Sequence, residues 1–317
     1  MPPPRRRRCK KRRRLTDVAA AEADALISLP ADVLDVILTR LDLRDAVRTS
    51  ALSRAWRYRW EALPSLDLHF PHLKDDEGAP KGLRAVDGIL LRCPGRVRRF
   101  CVFLDEPYAA RIHDWLLVLS RRGVETLHIS SIDGFLALPS SLFTCGRLTS
   151  LSLFRCAIPP LYPRASMSNG ANMLEELPCT FVNLKNLTLY THFCELPSIL
   201  STFCLLRNAP NLERLKILIY YGEEQKFEAN REFQDAQCTD GMCANLQFVK
   251  MTGIHWHSNE MSFMELILSK ARLLRTLSIS YDEECATSNE GALKKLQKYK
   301  KASTHAKVIF KGKAGSY

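Results

Sequence analysis

Between Ser28 and Trp60 the chain reads SLPADVLDVILTRLDLRDAVRTSALSRAWRYRW, and its apolar residues return at three- and four-residue intervals in three short runs. That spacing predicts three helices. The first opens at Leu29-Pro30, where a proline is tolerated because the first turn has N–H groups to spare, and it carries Val33, Leu34, Ile37, Leu38 and Leu41 on one stripe. Asp42 and Asp45 open a second helix bearing Leu43, Ala46, Val47 and Ser50, and Ser53 is placed to cap a third, RAWRYRWEAL, with Trp56 and Trp60 one turn apart. A segment this short rarely folds without metal, disulfide or partner, and it contains neither cysteine nor histidine. Its apolar surface is therefore expected to meet another protein.

Beyond this module a second pattern recurs, of the form L-x-x-L-x-L. It appears as LPSLDL at Leu63, VRRFCV at Val97, VETLHI at Val124, LTSLSL at Leu148, LKNLTL at Leu184, LERLKI at Leu212, LQFVKM at Leu246 and LRTLSI at Leu274. Its central apolar residues lie 34, 27, 24, 36, 28, 34 and 28 positions apart, around and beyond the period of leucine-rich repeats. The closing alternation of each unit predicts a strand with two residues inward and the one between them outward. Helix-like returns stand between strands at Ile112 (IHDWLLVLSRR), Glu195 (ELPSILSTFCLLRNAP) and Met261 (MSFMELILSKARLL). The expected fold class is α/β: a small N-terminal three-helix module, then a degenerate solenoid with a curved parallel sheet and helices on its convex side. The concave face would carry Thr126, His128, Ser150, Ser152, Asn186, Thr188, Arg214, Lys216, Phe248 and Lys250, followed by Thr276 and Ser278. These change from neutral hydroxyls to a basic pair of strands, which suits an acidic or phosphorylated feature of a bound protein.

Charge and cysteines change this picture little. Removing the nine basic residues Arg5, Arg6, Arg7, Arg8, Lys10, Lys11, Arg12, Arg13 and Arg14 from the formal net charge of +12 leaves +3 for the rest of the chain. Basicity is thus a property of a tail expected to be disordered, whose readings are a nuclear-import signal, a solvated tail or nucleic-acid contact. The 11 cysteines are scattered without a pairing pattern. With neither a signal-peptide core nor a membrane-length apolar run, the chain is expected in nucleus or cytoplasm, not secreted, with reduced thiols. The acceptor pattern Asn186-Leu187-Thr188 is discounted for the same reason.

The residues from Leu29 to Trp60, with the run RDAVRTSALS and the following LPSLDL, resemble the F-box, the adaptor-binding module of substrate receptors in SCF-type ubiquitin ligases. Asp42, where a proline is usual, and Ala55, where a basic residue is common, depart from that motif. The repeats IHDWLLVLSRRGVETLHI and LPSSLFTCGRLTSLSL resemble the leucine-rich array of plant F-box proteins, and NLQFVKMTGIHWHSNEMSFMELILSKARLLRTLSI with KKLQKYKKASTHAKVIF resembles the closing FBD region. The resemblance implies a disordered tail over 1–23, an F-box over 24–64, repeats over 65–237, an FBD-like cap over 238–311 and a tail over 312–317. It implies a Skp-family adaptor, and through it a cullin, bound by Leu29, Pro30, Leu34, Ile37, Leu38, Leu41, Val47, Leu52, Trp56 and Trp60, with an unknown target protein on the repeats. The alternative is an adaptor-binding scaffold that directs no ubiquitination.

No chemistry of its own is expected. The chain has no G-x-G-x-x-G, G-x-x-x-x-G-K-[ST] or G-x-S-x-G. Cys238, Cys243, His255 and His257 mimic a zinc finger, but one residue between the histidines is too few. The acidic runs Asp75 to Glu77 and Asp282 to Glu284 read as solvated loops. No cofactor, metal, membrane or nucleic-acid partner is expected.

Overall fold

The structure is a computed structural model, and it describes residues 29–41, 43–54, 56–62, 65–70, 81–93, 95–104, 110–132, 134–158, 181–219, 228–238, 241–281 and 289–312. The basic stretch 5–14, Asp42, Ala55 and both acidic runs lie outside them. The chain divides into two compact units, residues 1–67 with 91–96, and residues 68–90 with 97–317.

The first unit holds helices α1 (Ala31–Thr39) and α2 (Leu43–Arg48), a 3-10 turn at Thr49–Ala51 and another at Arg59–Ala62. Pro30 stands just outside α1, and its carbonyl accepts the N–H groups of Val33 and Leu34. The expected third helix does not form. Trp56 N–H reaches the Ser53 carbonyl at 3.3 Å, Tyr58 takes φ 63, and only the short 3-10 turn follows. A left-handed residue ends any α-helix, so the tryptophans are carried on successive turns. Arg59 ties this turn to α1, through Nε to Asp35 at 2.7 Å and through Nη2 to the Ala31 carbonyl at 2.9 Å.

In the second unit the repeat units become strands as expected. One sheet runs in the order β1 (Ser65–Phe70), β2 (Arg96–Leu104), β3 (Thr126–Ser131), β5 (Ser150–Phe154), β7 (Asn186–Thr191), β8 (Arg214–Ile219), β9 (Phe248–Ile254), β10 (Thr276–Tyr281) and β11 (Lys307–Gly312). From β2 onward every strand pairs parallel with the next. The two-residue strands β4 (Leu136–Ala137) and β6 (Cys156–Ala157) form a separate parallel pair. Strand order follows chain order, so each unit leans on its neighbours, and the sheet passes residue 238 without a break.

Parallel neighbours require crossovers. These are α3 (Lys81–Arg92), α4 (Ile112–Arg121), α5 (Leu196–Arg207), α6 (Asn230–Cys238), α7 (Ser258–Lys270) and α8 (Asn289–Lys298). Periodicity announces α4, α5 and α7, whereas α3, α6 and α8 were not expected because their apolar stripes are thin. Between β3 and β5, the shortest interval, the return is only a 3-10 turn at Ser140–Thr144. Inward residues of the strands are buried in pairs, such as Leu127 with Ile129 and Leu215 with Ile217. Helices cover them, with Phe100 against Trp115 at 6.2 Å and Phe193 against Phe263 at 4.8 Å between ring centres. Asp87 of α3 accepts the Trp115 indole N–H at 2.8 Å and pairs with Arg111, fixing α3 to the start of α4.

A second repeat device lies in the turns before the strands. Asn183 donates to the Gly146 carbonyl at 2.9 Å, Asn211 to Val182 at 2.8 Å and Asn245 to Pro210 at 3.1 Å. Each amide thereby satisfies a turn carbonyl of the preceding unit. The recurrent Asn-Leu before β7, β8 and β9 is its sequence mark.

Two positions hold the β9–α7 corner. Gly253, at φ 75, is the bulged residue where the register with β10 slips, and a Cβ there would meet the Ile219 carbonyl oxygen at 2.2 Å. Glu260 is buried in the first turn of α7, and its carboxyl accepts the N–H groups of His255 at 3.0 Å and His257 at 3.1 Å. Burial pushes its pKa up to about 7, against the lowering effect of the backbone N–H groups of residues 255 to 257.

Gly253→Ala is expected to destabilise the chain by more than about 1 kcal/mol, because it combines strain with a backbone clash; the denaturant midpoint reads it. For Glu260 the folded pKa lies above the ordinary 4.5, so its contribution to stability is full below 4.5 and is lost as pH rises through about 7. Glu260→Gln removes that dependence. The difference in thermal midpoint between wild type and variant should therefore change between these two pH values and level off beyond them.

Candidate functional site

A parallel sheet is ordinarily covered on both faces, but here the outward residues of the strands whose burial is described, apart from the buried Ser130 and Ser280, stay exposed or half-buried. Register sorts them into rows. One row runs Arg99, Thr126, Ser150, Asn186, Arg214, Phe248, Thr276 and Lys307; the next runs Cys101, His128, Ser152, Thr188, Lys216, Lys250, Ser278 and Ile309. All the sequence-predicted face residues from Thr126 to Lys250, with Thr276 and Ser278, stand in these two rows.

A third row was missed, Phe103, Ser130, Phe154, Tyr190, Leu218, Thr252, Ser280 and Lys311. Continuing each strand's alternation by two residues would have found it. It supplies the face with aromatic rings: His69 to Phe103 at 6.2 Å, Phe103 to His128 at 5.4 Å, His128 to Phe154 at 5.2 Å and Phe154 to Tyr190 at 5.4 Å. Burial, and then the neighbouring His69, holds the His128 pKa below the usual histidine range. On the next two strands the face turns basic with Arg214, Lys216 and Lys250, and the Arg214 guanidinium lies 4.9 Å over the Phe248 ring.

The described residues offer one arrangement that looks catalytic. His192 Nε2 lies 3.4 Å from Ser198 Oγ and 3.8 Å from Glu195 Oε2. Its Nδ1 accepts the Cys194 N–H at 3.3 Å, which leaves the ring proton on Nε2, facing the serine. The histidine therefore cannot take the serine's proton, as nucleophilic catalysis demands. The group organises the start of α5 instead.

Burial pushes the thiols of Cys145, Cys156 and Cys243 up to about 12, and that of Cys101 to about 11, far from the reactive range. His255 and His257 stack at 5.8 Å beside the Glu260 cap. Among the described residues no three His, Cys, Asp or Glu side chains form a metal-holding group, and no helix is long and apolar enough to cross a membrane. The cavity between β5, β7 and α5 measures about 10 Å³, room for a water at most.

In the N-terminal unit the ten candidate residues divide. Leu34 and Leu38 are 2% and 1% exposed, and Trp56 and Trp60 are likewise buried, with Ala46. The module is thus not too small to bury apolar residues, since its helices and turns pack on one another. Those four side chains serve burial, not presentation. Pro30, Leu41, Val47 and Leu52 are exposed, Leu29 and Ile37 half-buried. Val33, Val36 and Tyr58, outside the candidate set, are also exposed, Val36 at 53% and Leu52 at 57%. These exposed large apolar side chains are the module's candidates for an interaction surface.

Residues 26–67 match the F-box domain model. The chain is 36% identical to the F-box/FBD/LRR-repeat protein At1g13570 of Arabidopsis thaliana over 145 residues, 44% of this chain and 35% of that protein. It is 29% identical to the Arabidopsis F-box/FBD/LRR-repeat protein At1g80470 over 64% of this chain and 41% of the relative. With the Arabidopsis F-box/LRR-repeat protein At3g03360 it shares 31% identity over 65% of this chain and 40% of the relative. The matches thus span between 35% and 41% of these relatives' lengths. The chain thus carries an F-box domain, followed by a parallel array of degenerate leucine-rich units, and is similar to Arabidopsis F-box/FBD/LRR-repeat proteins.

Proposed function

We propose that this chain is the substrate-recognition subunit of an SCF-type ubiquitin ligase. The F-box docks on a Skp-family adaptor, and through it a cullin, while the open face of the sheet holds a target protein. The observation that carries this reading is the F-box match over residues 26–67, on a module that exposes Val33, Val36, Leu41, Val47, Leu52 and Tyr58. The subunit performs no bond chemistry. It contributes proximity, because a target held beside a ubiquitin-charged enzyme reacts as if the step were intramolecular. The basic run from Arg5 to Arg14 serves as a nuclear-import signal, so the chain works in the nucleus as well as the cytoplasm.

Recombinant Skp-family adaptor should capture the full chain. Val36→Asp with Leu52→Asp should weaken capture at least about tenfold, or about 1.4 kcal/mol, with circular dichroism unchanged. Leu38→Ala should lose capture by a different route, since emptying a buried leucine site costs about 2–5 kcal/mol and opens the module. Unimpaired capture by the folded double-aspartate variant would contradict the docking. In a reconstituted ligase a co-purified partner should acquire ubiquitin; capture without transfer would favour a scaffold.

A further inference from the structure

We infer that the open face binds an extended, acidic protein segment carrying one apolar anchor, with the anchor on the Phe103–His128–Phe154–Tyr190 rings and its carboxylates on Arg214, Lys216 and Lys250. This rests on reading the array as the target-holding end, and it specifies what that end recognises.

Three observations carry it. In the three outward rows from β2 to β11 no position is an aspartate or glutamate, while Arg99, Arg214, Lys216, Lys250, Lys307 and Lys311 are all cationic. Glu213, at the rim before β8, is paired with Lys185 at 3.0 Å. Arg214, Lys216 and Lys250 form no ion pair among the described residues.

Lys216 and Lys250 also stand directly opposite each other on neighbouring strands. Like charges so placed are destabilising, and a bound carboxylate would relieve the repulsion. The sheet has no need of this pair, since Ser152 and Thr188 occupy the same row without charge.

The rings are arranged for an apolar or acidic partner. Phe154 and Tyr190 lie at 14° to one another across adjacent strands, so each covers its neighbour's face and turns an edge outward. Ring edges carry the positive part of the aromatic quadrupole. They shelter apolar side chains and tolerate carboxylates, whereas single-stranded nucleic acid needs uncovered ring faces for its bases.

Spacing sets the segment's pattern. With strands about 4.8 Å apart and residues about 3.3 Å apart along a strand, Tyr190 lies about 8 Å from Lys216 and about 12 Å from Lys250. An extended ligand spans those gaps in about two to three and about four residues, which on the same side of the segment are positions two and four after the anchor. The recognised pattern is therefore an apolar residue followed, within about five residues, by two carboxylates on alternate positions.

The test uses the full chain and a fluorescein-labelled peptide pool with a fixed tryptophan and fixed glutamates two and four residues after it, on the same side of the extended peptide, read by anisotropy. The pool is expected to bind. Replacing its glutamates by glutamine should weaken binding at least about tenfold, as should Lys216→Glu with Lys250→Glu in the protein. A pool with lysines in place of the glutamates should then bind that double variant better than it binds wild type, a rescue that mere loss of fold would not produce. Binding indifferent to the glutamates, tighter binding of an oligothymidine, absence of rescue, or no binding at millimolar peptide would overturn the inference. The assay uses no adaptor, so its failure would leave F-box docking standing, and loss of adaptor capture would leave this inference standing.

Discussion

Among the described residues the sheet is packed on one face only, and the rest of the array follows from that. A parallel ladder needs crossovers, and all helical crossovers whose contacts are seen, such as α4 with Trp115 on Phe100 and α7 with Phe263 on Phe193, serve the same inner layer. Burial of each inward Leu, Ile or Val contributes about 1.5–3 kcal/mol, enough to hold a strand whose outward residues add little. The outward rows are thereby released from packing. From β2 to β11 they pass from rings to cations without an acid among them.

The N-terminal unit divides its apolar residues in the same way. Leu34, Leu38, Trp56 and Trp60 close a small core, and Val33, Val36, Leu41, Val47, Leu52 and Tyr58 remain outside it. Helical geometry explains the division, since Leu34 and Leu38 are one turn apart on one face while Val36 lies opposite them and Val33 to one side. Neither unit holds reactive chemistry among its described residues: thiols are held in the protonated form by burial, and the His192 tautomer points its proton toward Ser198.

Much of this was legible from residue pattern. The L-x-x-L-x-L units located the main-sheet strands from β1 to β10, and from β3 to β10 the strand alternation named two of the three outward rows. The third row escaped because the motif ends one residue too early, although Phe154 and Tyr190 each sit two positions beyond an outward residue already named. Burial within the F-box module was misjudged for a different reason. Periodicity reports that Leu34 and Val33 share a helix stripe but cannot say where a neighbouring turn will stop covering it, and Tyr58, by adopting a left-handed conformation, redirects the chain that does the covering. The helices α3, α6 and α8 were missed because, among their described side chains, few are buried apolar ones: Val86 and Leu90, Phe233 and Ala236, and Leu296. Tertiary burial, not propensity, fixes such helices.

The one-sidedness of the sheet is the claim from which the account proceeds, and hydroxyl-radical footprinting of the full chain tests it most directly. Phe103, Phe154 and Tyr190 should oxidise severalfold faster than Phe100, Phe193 and Phe263, which lie in the inner layer. Equal protection of the two sets would mean that the outward rows are covered, and that the open face does not exist.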